Sequence, residues 1–213
     1  MSRQRFKRLS QERQDALLAA AGDEFAEHGY AAASMNRIVA RADSSKGAIY
    51  YYFENKADLL ATVVDTAMAR VIAEMEFPDP QALSATTYWD RLREVTLASV
   101  QLMDVDTWYM RVLRAFHRLR EEDEARAATA GAMDRGRELA AAFLHRGRDL
   151  GVVRTDLPLE LLVDIYVAAD EAGDRWMLQH WKDLTAPEKH ALMDARFDLV
   201  RDMLDAQHMG WTR

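Results

Sequence analysis

The chain contains no cysteine, which excludes a disulfide framework, a thiolate metal site and a thiol nucleophile. Glycine and proline are scarce, at nine and four of 213 residues. Ala, Leu, Glu, Arg and Met abound instead, so helix is favoured nearly everywhere. Apolar and polar residues do not alternate with period two, so no sheet is expected. Long apolar runs are missing as well: Glu160 and Asp164 interrupt the stretch from Leu157 to Val167, and no membrane span is expected. Arg3, Arg5, Lys7 and Arg8 open the chain but no apolar core follows them, so the start does not read as a secretory signal. These absences together place the expected protein in a reducing cytoplasm, without a membrane partner.

What remains is ordinary globular composition, 49% apolar and 30% charged, in a length that suits one large domain or two modest ones. The net charge of −7 is unevenly spread. Residues 1–57 hold nine Lys or Arg against seven Asp or Glu, and the remainder nineteen against twenty-eight. A basic arm on a small N-terminal unit, attached to an acidic body, suits local contact with phosphate. The same four early charges would equally serve as a solubilising tail.

Ser10 can cap a first helix running to about Glu27, with Leu17, Leu18, Ala21 and Phe25 as its apolar stripe. Gly29 supplies the left-handed residue that ends it. Ser34 then caps a short helix to about Arg41 that buries Met35 or Ile38 and Val39. Asp43-Ser44-Ser45 reads as turn and cap for a third helix, Lys46 to Tyr52. Asn55 with Asp58 resembles a capping box for a long fourth helix to about Glu76. After the break at Phe77-Pro78-Asp79-Pro80, helices are expected over 88–103, 106–120, 122–149, 158–181 and 187–207, with Thr155 or Asp156 starting the fourth of these. The expectation is an all-α protein: a helix-turn-helix domain at 1–54, joined by the long helix to a helical effector-binding and dimerisation domain at 55–213.

Two short helices around a tight turn frame a helix-turn-helix, with Phe25, Ile38, Ile49, Phe53 and Leu60 as its interior. The second must present a slim polar face to the major groove. Ser45, Lys46, Gly47 and Ala48 meet that need, while Tyr50, Tyr51 and Tyr52 add hydroxyls on planar arms. Lys56, at the start of the next helix, can add a phosphate contact. The three tyrosines taken alone would suit plain aromatic packing as well.

The run Phe25-Ala-Glu-His-Gly-Tyr30, followed by Ser34, Ile38, Ala42, Ser45-Lys-Gly47, Ile49-Tyr-Tyr-Tyr-Phe53, Asn55-Lys56 and Leu59-Leu60, resembles the N-terminal domain of the TetR family of repressors in register over about a quarter of the chain. The resemblance implies base-edge contacts from Lys46, Gly47 and Tyr50, and backbone contacts from Ser34, Tyr51, Tyr52 and Lys56. It also implies double-stranded operator DNA and a small-molecule effector as partners. Three positions depart from the family pattern: Asp43 replaces a turn glycine, Ser44 replaces an apolar residue, and Gly22 replaces a larger residue inside the first helix.

For the effector, taken to be largely apolar, the candidate lining is Met103, Trp108, Tyr109, Val112, Phe116, His117, Tyr166 and Asp170, with Gln101 as a further polar group. Residue by residue, a stripe of this kind reads more readily as plain core. For the homodimer, the stripes Met193, Phe197, Val200, Leu204 and Leu161, Ile165, Ala168, Ala169, Ala172 suggest a four-helix interface. Leu192, Leu199 and Met203 form a second apolar face of the last helix. His117, His145, His180, His190 and His208 lack metal-ligand spacing, and no nucleophile elbow or phosphate loop is present, so neither catalysis, cofactor nor metal is expected. The resulting expectation is a ligand-responsive transcriptional repressor, released from its operator by the effector. An architectural DNA-binding protein and a helical enzyme or carrier are the rivals.

Overall fold

The computed structural model describes residues 2–206, without the side chains of residues 2 and 3. The Arg3 side chain, position 207 and His208 therefore lie outside the described residues. Among them the regular elements are α-helices and two short 3₁₀ turns, and the only extended pairing is an isolated antiparallel bridge between Val153 and Asp205. The helices are α1 (Ser2–Phe6), α2 (Gln11–Ala32), α3 (Met35–Arg41), α4 (Lys46–Tyr52), α5 (Lys56–Glu74), α6 (Tyr88–Asp104), α7 (Trp108–Leu119), α8 (Asp123–Ala128), α9 (Ala130–Asp149), α10 (Leu159–His180) and α11 (Ala186–Leu204). None of them is long and apolar enough to cross a membrane.

The chain forms two compact units, Met1–Ile72 with Val105–Asp134 and Ala73–Asp104 with Arg135–Arg213. The first takes in more than the expected 1–54. Leu59, Leu60, Val63, Val64 and Ala67 of α5 are buried, and α7 packs along α2. Local chemistry sets the ends of its helices. Ser10, Ser34 and Ser45 each accept a hydrogen bond from a backbone N–H three residues on, capping α2, α3 and α4. Gly29, at φ 74°, interrupts α2 where a side chain would be strained, and one further turn follows it. Asp43 occupies the turn before α4 at φ 44°, a conformation that Asp tolerates better than most residues. Asn55 Oδ1 accepts from the Asp58 N–H at 2.8 Å.

Gly22 has a packing reason. A Cβ built there would stand 2.9 Å from both Trp108 and Val112 of α7, so the missing side chain lets α7 lie against the α2 backbone. Polar ties run along the same seam: Arg111 Nε to Asp23 at 2.8 Å, Arg118 to the Ala26 carbonyl, and the Ala31 N–H to Glu122 at 2.9 Å.

In the second unit the core gathers Leu83, Tyr88, Phe143, Leu144, Val153, Leu162, Val163 and Leu204, with a smaller cluster of Val100, Met177, Trp181 and Met193. Helices α6 and α11 pack together, tied by Arg93, which pairs with Asp194 at 2.5 Å and with Asp198. Two expectations are corrected here. The helix expected over 122–149 is broken at Thr129, whose fully buried hydroxyl donates to the Ala125 carbonyl at 2.9 Å. Neither Thr155 nor Asp156 caps α10; Pro158 stands at that position, while Asp156 accepts from Arg154 through both oxygens at 2.7 and 2.6 Å.

Candidate nucleic-acid interface

Helix α4 is seven residues long and is held from inside by Ile49 and Phe53, both fully buried, as are Phe25, Ile38 and Leu60 around it. Turning those residues inward leaves one face outward. Ser45, Lys46, Gly47, Tyr50 and Tyr51 are exposed, with Tyr50 at 46% and Tyr51 at 54%. The open face combines one ammonium, one glycine that leaves the backbone approachable, and two phenols, which suits base edges and phosphates alike. Ser45 serves as the cap of α4 through its hydroxyl, and Ser34 does the same for α3. Tyr52 is half-buried, edge-on to Tyr51 at 5.3 Å.

Helix α3 is anchored to α2 by a buried carboxylate. Glu24 is fully buried and accepts from the Ser34 N–H at 2.8 Å and from Arg37 Nε at 2.8 Å. Burial pushes its carboxyl up, but the hydrogen bonds from Arg37 and Ser34 and the charges of Arg37 and His28 outweigh it and hold the group below its ordinary range. Arg41 extends the tie by donating to Glu27 at 2.7 Å. Sequence reading assigned Glu24 no role; its signal was a carboxylate sitting on the apolar side of the first helix.

Lys56 requires a correction. Its ammonium donates to the carbonyls of Tyr30 and Ala31, at 2.7 and 3.2 Å, and lies 4.4 Å from the Tyr30 ring centre. It closes the carbonyl end of α2, where a cation is favoured, and is not held ready for phosphate.

The expected effector residues divide between the units. Trp108, Tyr109, Val112 and Phe116 are buried in the first, where α7 packs on α2. His117 is half-buried, its ring 6.2 Å from that of Phe116 and steeply inclined to it. In the second unit Met103 is half-buried against the smaller cluster and Gln101 is exposed. Tyr166 packs on the main core there, and Asp170 lies one turn further along α10. Asp170 binds Arg196 at 2.5 Å, and Arg196 binds Asp174 at 2.8 Å. The Asp170 side chain keeps 43% of its surface open, yet burial and the Asp174 charge push its carboxyl up to about 6 against the pull of Arg196. Burial also raises the Tyr166 hydroxyl, with the Asp170 charge adding to it. Trp89, in the same cluster, has its indole N–H buried with no acceptor.

A carboxyl whose folded pKa is raised favours the folded state most when protonated, so this stabilisation is lost as pH rises through about 6. Asp170→Asn, which cannot ionise, is expected to melt above the parent at pH 7.5, and the gap should be smaller at pH 4.5. A gap of equal size at both pH values, measured by thermal denaturation, would contradict this assignment.

The expected dimer stripes also change. Met193, Phe197 and Leu204 are buried within the second unit, and Val200 packs against its core. Ile165 and Ala169 are half-buried, while Leu161 is 44% exposed. The open apolar faces are Leu161, Ala168, Ala172 and Trp176 on α10, and Ala191, Ala195 and Leu199 on α11. Leu199 alone exposes 71% of its surface. Among the described residues no group of three His, Asp or Glu side chains could hold a metal ion.

The family model for bacterial regulatory proteins of the tetR family matches residues 17–63, the stretch from α2 into α5. The HTH-type transcriptional repressor AcnR of Corynebacterium efficiens is 30% identical over 138 residues, covering 65% of this chain and 67% of its own. An HTH-type transcriptional repressor of Streptomyces coelicolor is 27% identical over 195 residues, covering 88% of each chain. In fold, the chain is similar to the transcriptional regulator FadR of Bacillus subtilis, solved with stearoyl-CoA, at a TM-score of 0.72 and 19% identity, covering 88% of this chain and 97% of that one.

Proposed function

We propose that this chain, which belongs to the TetR family of bacterial regulatory proteins and is a transcriptional regulator and not an enzyme, is a cytoplasmic repressor that binds a two-fold operator as a homodimer and is released by a small, largely apolar effector. The open face of α4 carries the reading: Lys46, Gly47 and Tyr50 for base edges, Ser45 at its cap, and Tyr51, Tyr52 and Ser34 toward the phosphate backbone. Five residues of that face are exposed over a fully buried Ile49 and Phe53, the arrangement a recognition helix needs.

The dimer is assigned to the open faces of α10 and α11, in place of the stripe through Met193 and Phe197. Apolar faces of this kind are normally covered, and two helices from each protomer form a two-fold bundle. The effector is assigned to the interior of the second unit, beside Tyr166 and Asp170. The Trp89 indole N–H there lacks an acceptor, and a carbonyl or ether oxygen of a bound molecule would supply one. The Bacillus protein of similar fold holds stearoyl-CoA, a ligand with a long apolar chain. Release requires the effector to bind one conformation of the dimer more tightly than the other, since equal affinity shifts nothing.

Selection of bound duplexes from a random pool tests the reading. The expected product is an inverted repeat whose half-sites lie about one helical turn, or a small multiple of it, apart. Leu199→Asp is expected to give a folded monomer by light scattering and to lose the repeat. A dimer that enriches no sequence would remove the repressor assignment.

A further inference from the structure

The start of the chain reads as a loose basic arm in the sequence, but it is packed. Phe6 is 4% exposed, its ring 5.1 Å from that of Phe53 and 6.3 Å from that of Tyr52. The link to α2 is tied down too, since Gln14 Nε2 donates to the Leu9 carbonyl at 2.8 Å. A five-residue helix does not persist in water by itself, so α1 is held by this one buried ring against the end of α4.

Seating Phe6 there has a consequence for its neighbours. Arg5 is exposed, and its guanidinium lies 4.6 Å from the centre of the Tyr51 ring, on the open face of α4. Lys7 and Arg8, on the other side of Phe6, are exposed as well. Among the described residues none of Arg5, Lys7, Arg8 and Lys46 is ion-paired with a carboxylate. A guanidinium stacked on a ring keeps its N–H edge available while its plane is fixed. Prior docking also removes the cost of ordering an arm on binding.

We propose that α1 is a built part of the DNA-binding surface: Phe6, seated against Phe53 and Tyr52, positions Arg5 on the Tyr51 ring, and Arg5, Lys7 and Arg8 engage backbone phosphates of duplex DNA beside those reached by α4. The inference rests on the reading of α4 as the DNA-contacting helix and extends it to a second element. Phe6 itself touches no DNA in this arrangement; it is a positioning residue.

The test is the salt dependence of binding by the full chain to a fluorescent mixed-sequence duplex of about 40 base pairs, from about 0.05 to 0.2 M salt, because each lost phosphate contact flattens the slope of log affinity against log salt by about 0.9. Arg5→Ala is expected to flatten the slope by about 0.9, and Phe6→Ala by about two to three times as much, since all three cations lose their placement. Phe6→Leu should restore most of the parent slope, and Lys182→Ala, which removes an exposed charge of the second unit, should leave it unchanged. If Phe6→Ala fails to fold, the surface variant Arg5→Ala still decides the matter. Parent slopes for Arg5→Ala and Phe6→Ala, in a protein that still binds the duplex with salt-dependent affinity, would overturn the role of α1 and leave that of α4 standing. Tighter binding by folded Phe6→Ala would overturn it too, because α1 would then cover the face it is proposed to extend. A parent protein that binds no duplex would remove both readings together.

Discussion

Gly22→Leu is expected to destabilise the N-terminal unit by about 3 kcal/mol or more, although leucine is the better helix former by about 0.8 kcal/mol. Even the first added atom, a Cβ, would stand 2.9 Å from the Trp108 ring and 2.9 Å from the Val112 methyl. Neither neighbour is the loose end of a flexible chain: Val112 is fully buried and Trp108 is 8% exposed. Relief therefore requires α7 to move off α2, breaking the seam that Arg111, Arg118 and Glu122 tie down. Gly22→Ala should cost about 1–2 kcal/mol by the same route. Urea denaturation provides the measurement, and a gain in stability from Gly22→Ala would show that propensity, not the close approach of α7, governs the position.

Glu24→Ala is expected to cost about 3 kcal/mol, the low end of the range for breaking a buried charged pair, because the Arg37 partner is itself 49% exposed. The loss leaves the Ser34 N–H and Arg37 Nε without their acceptor, so that only the Arg37 bond to the Ala32 carbonyl still ties the start of α3 to α2. Glu24→Gln keeps an acceptor for the Ser34 N–H and gives up only the charge, so about half that cost should remain. The pH dependence has a definite sign. The carboxyl is held below its ordinary range, so its stabilisation is present above that range and is lost as pH falls through its folded value. The stability difference between the parent and Glu24→Gln should accordingly shrink from pH 7 toward pH 3. A difference that stays constant or widens on acidification would contradict the buried ion pair.

The helix-turn-helix was legible in the sequence because its signals are local. A serine before each short helix, a glycine at a left-handed position and apolar residues at helical spacing name the caps, the break and the core in one pass. The parts that were not legible depend on distant partners. Phe6 is a single apolar residue among charges, with no period to reveal it; its contacts with Phe53 and Tyr52, some fifty residues away, are what seat α1. Lys56 looks like a phosphate ligand until the Tyr30 and Ala31 carbonyls come within reach. Gly22 looks like a defect until Trp108 arrives.

The stripes illustrate the same limit differently. Met193, Phe197, Val200 and Leu204 do form one apolar face, as their spacing says, and so do Trp108, Val112 and Phe116. Helical periodicity reports that a face is apolar but not whether α2, the core of its own unit or a second copy covers it. On α11 the face left open is the thinner one, Ala191, Ala195 and Leu199, whose smaller side chains attract less notice than Phe197.

The central claim is that this regulator reads DNA sequence through the outward face of α4. Its most direct test is fluorescence anisotropy of the selected duplex against a scrambled duplex of equal length, at about 0.15 M salt. The specific duplex should be preferred about a thousandfold or more, and Lys46→Ala or Tyr50→Ala should erase most of that preference while leaving the weaker, salt-sensitive binding to the scrambled duplex in place. Equal affinity for the two duplexes, or a preference untouched by both substitutions, would contradict it.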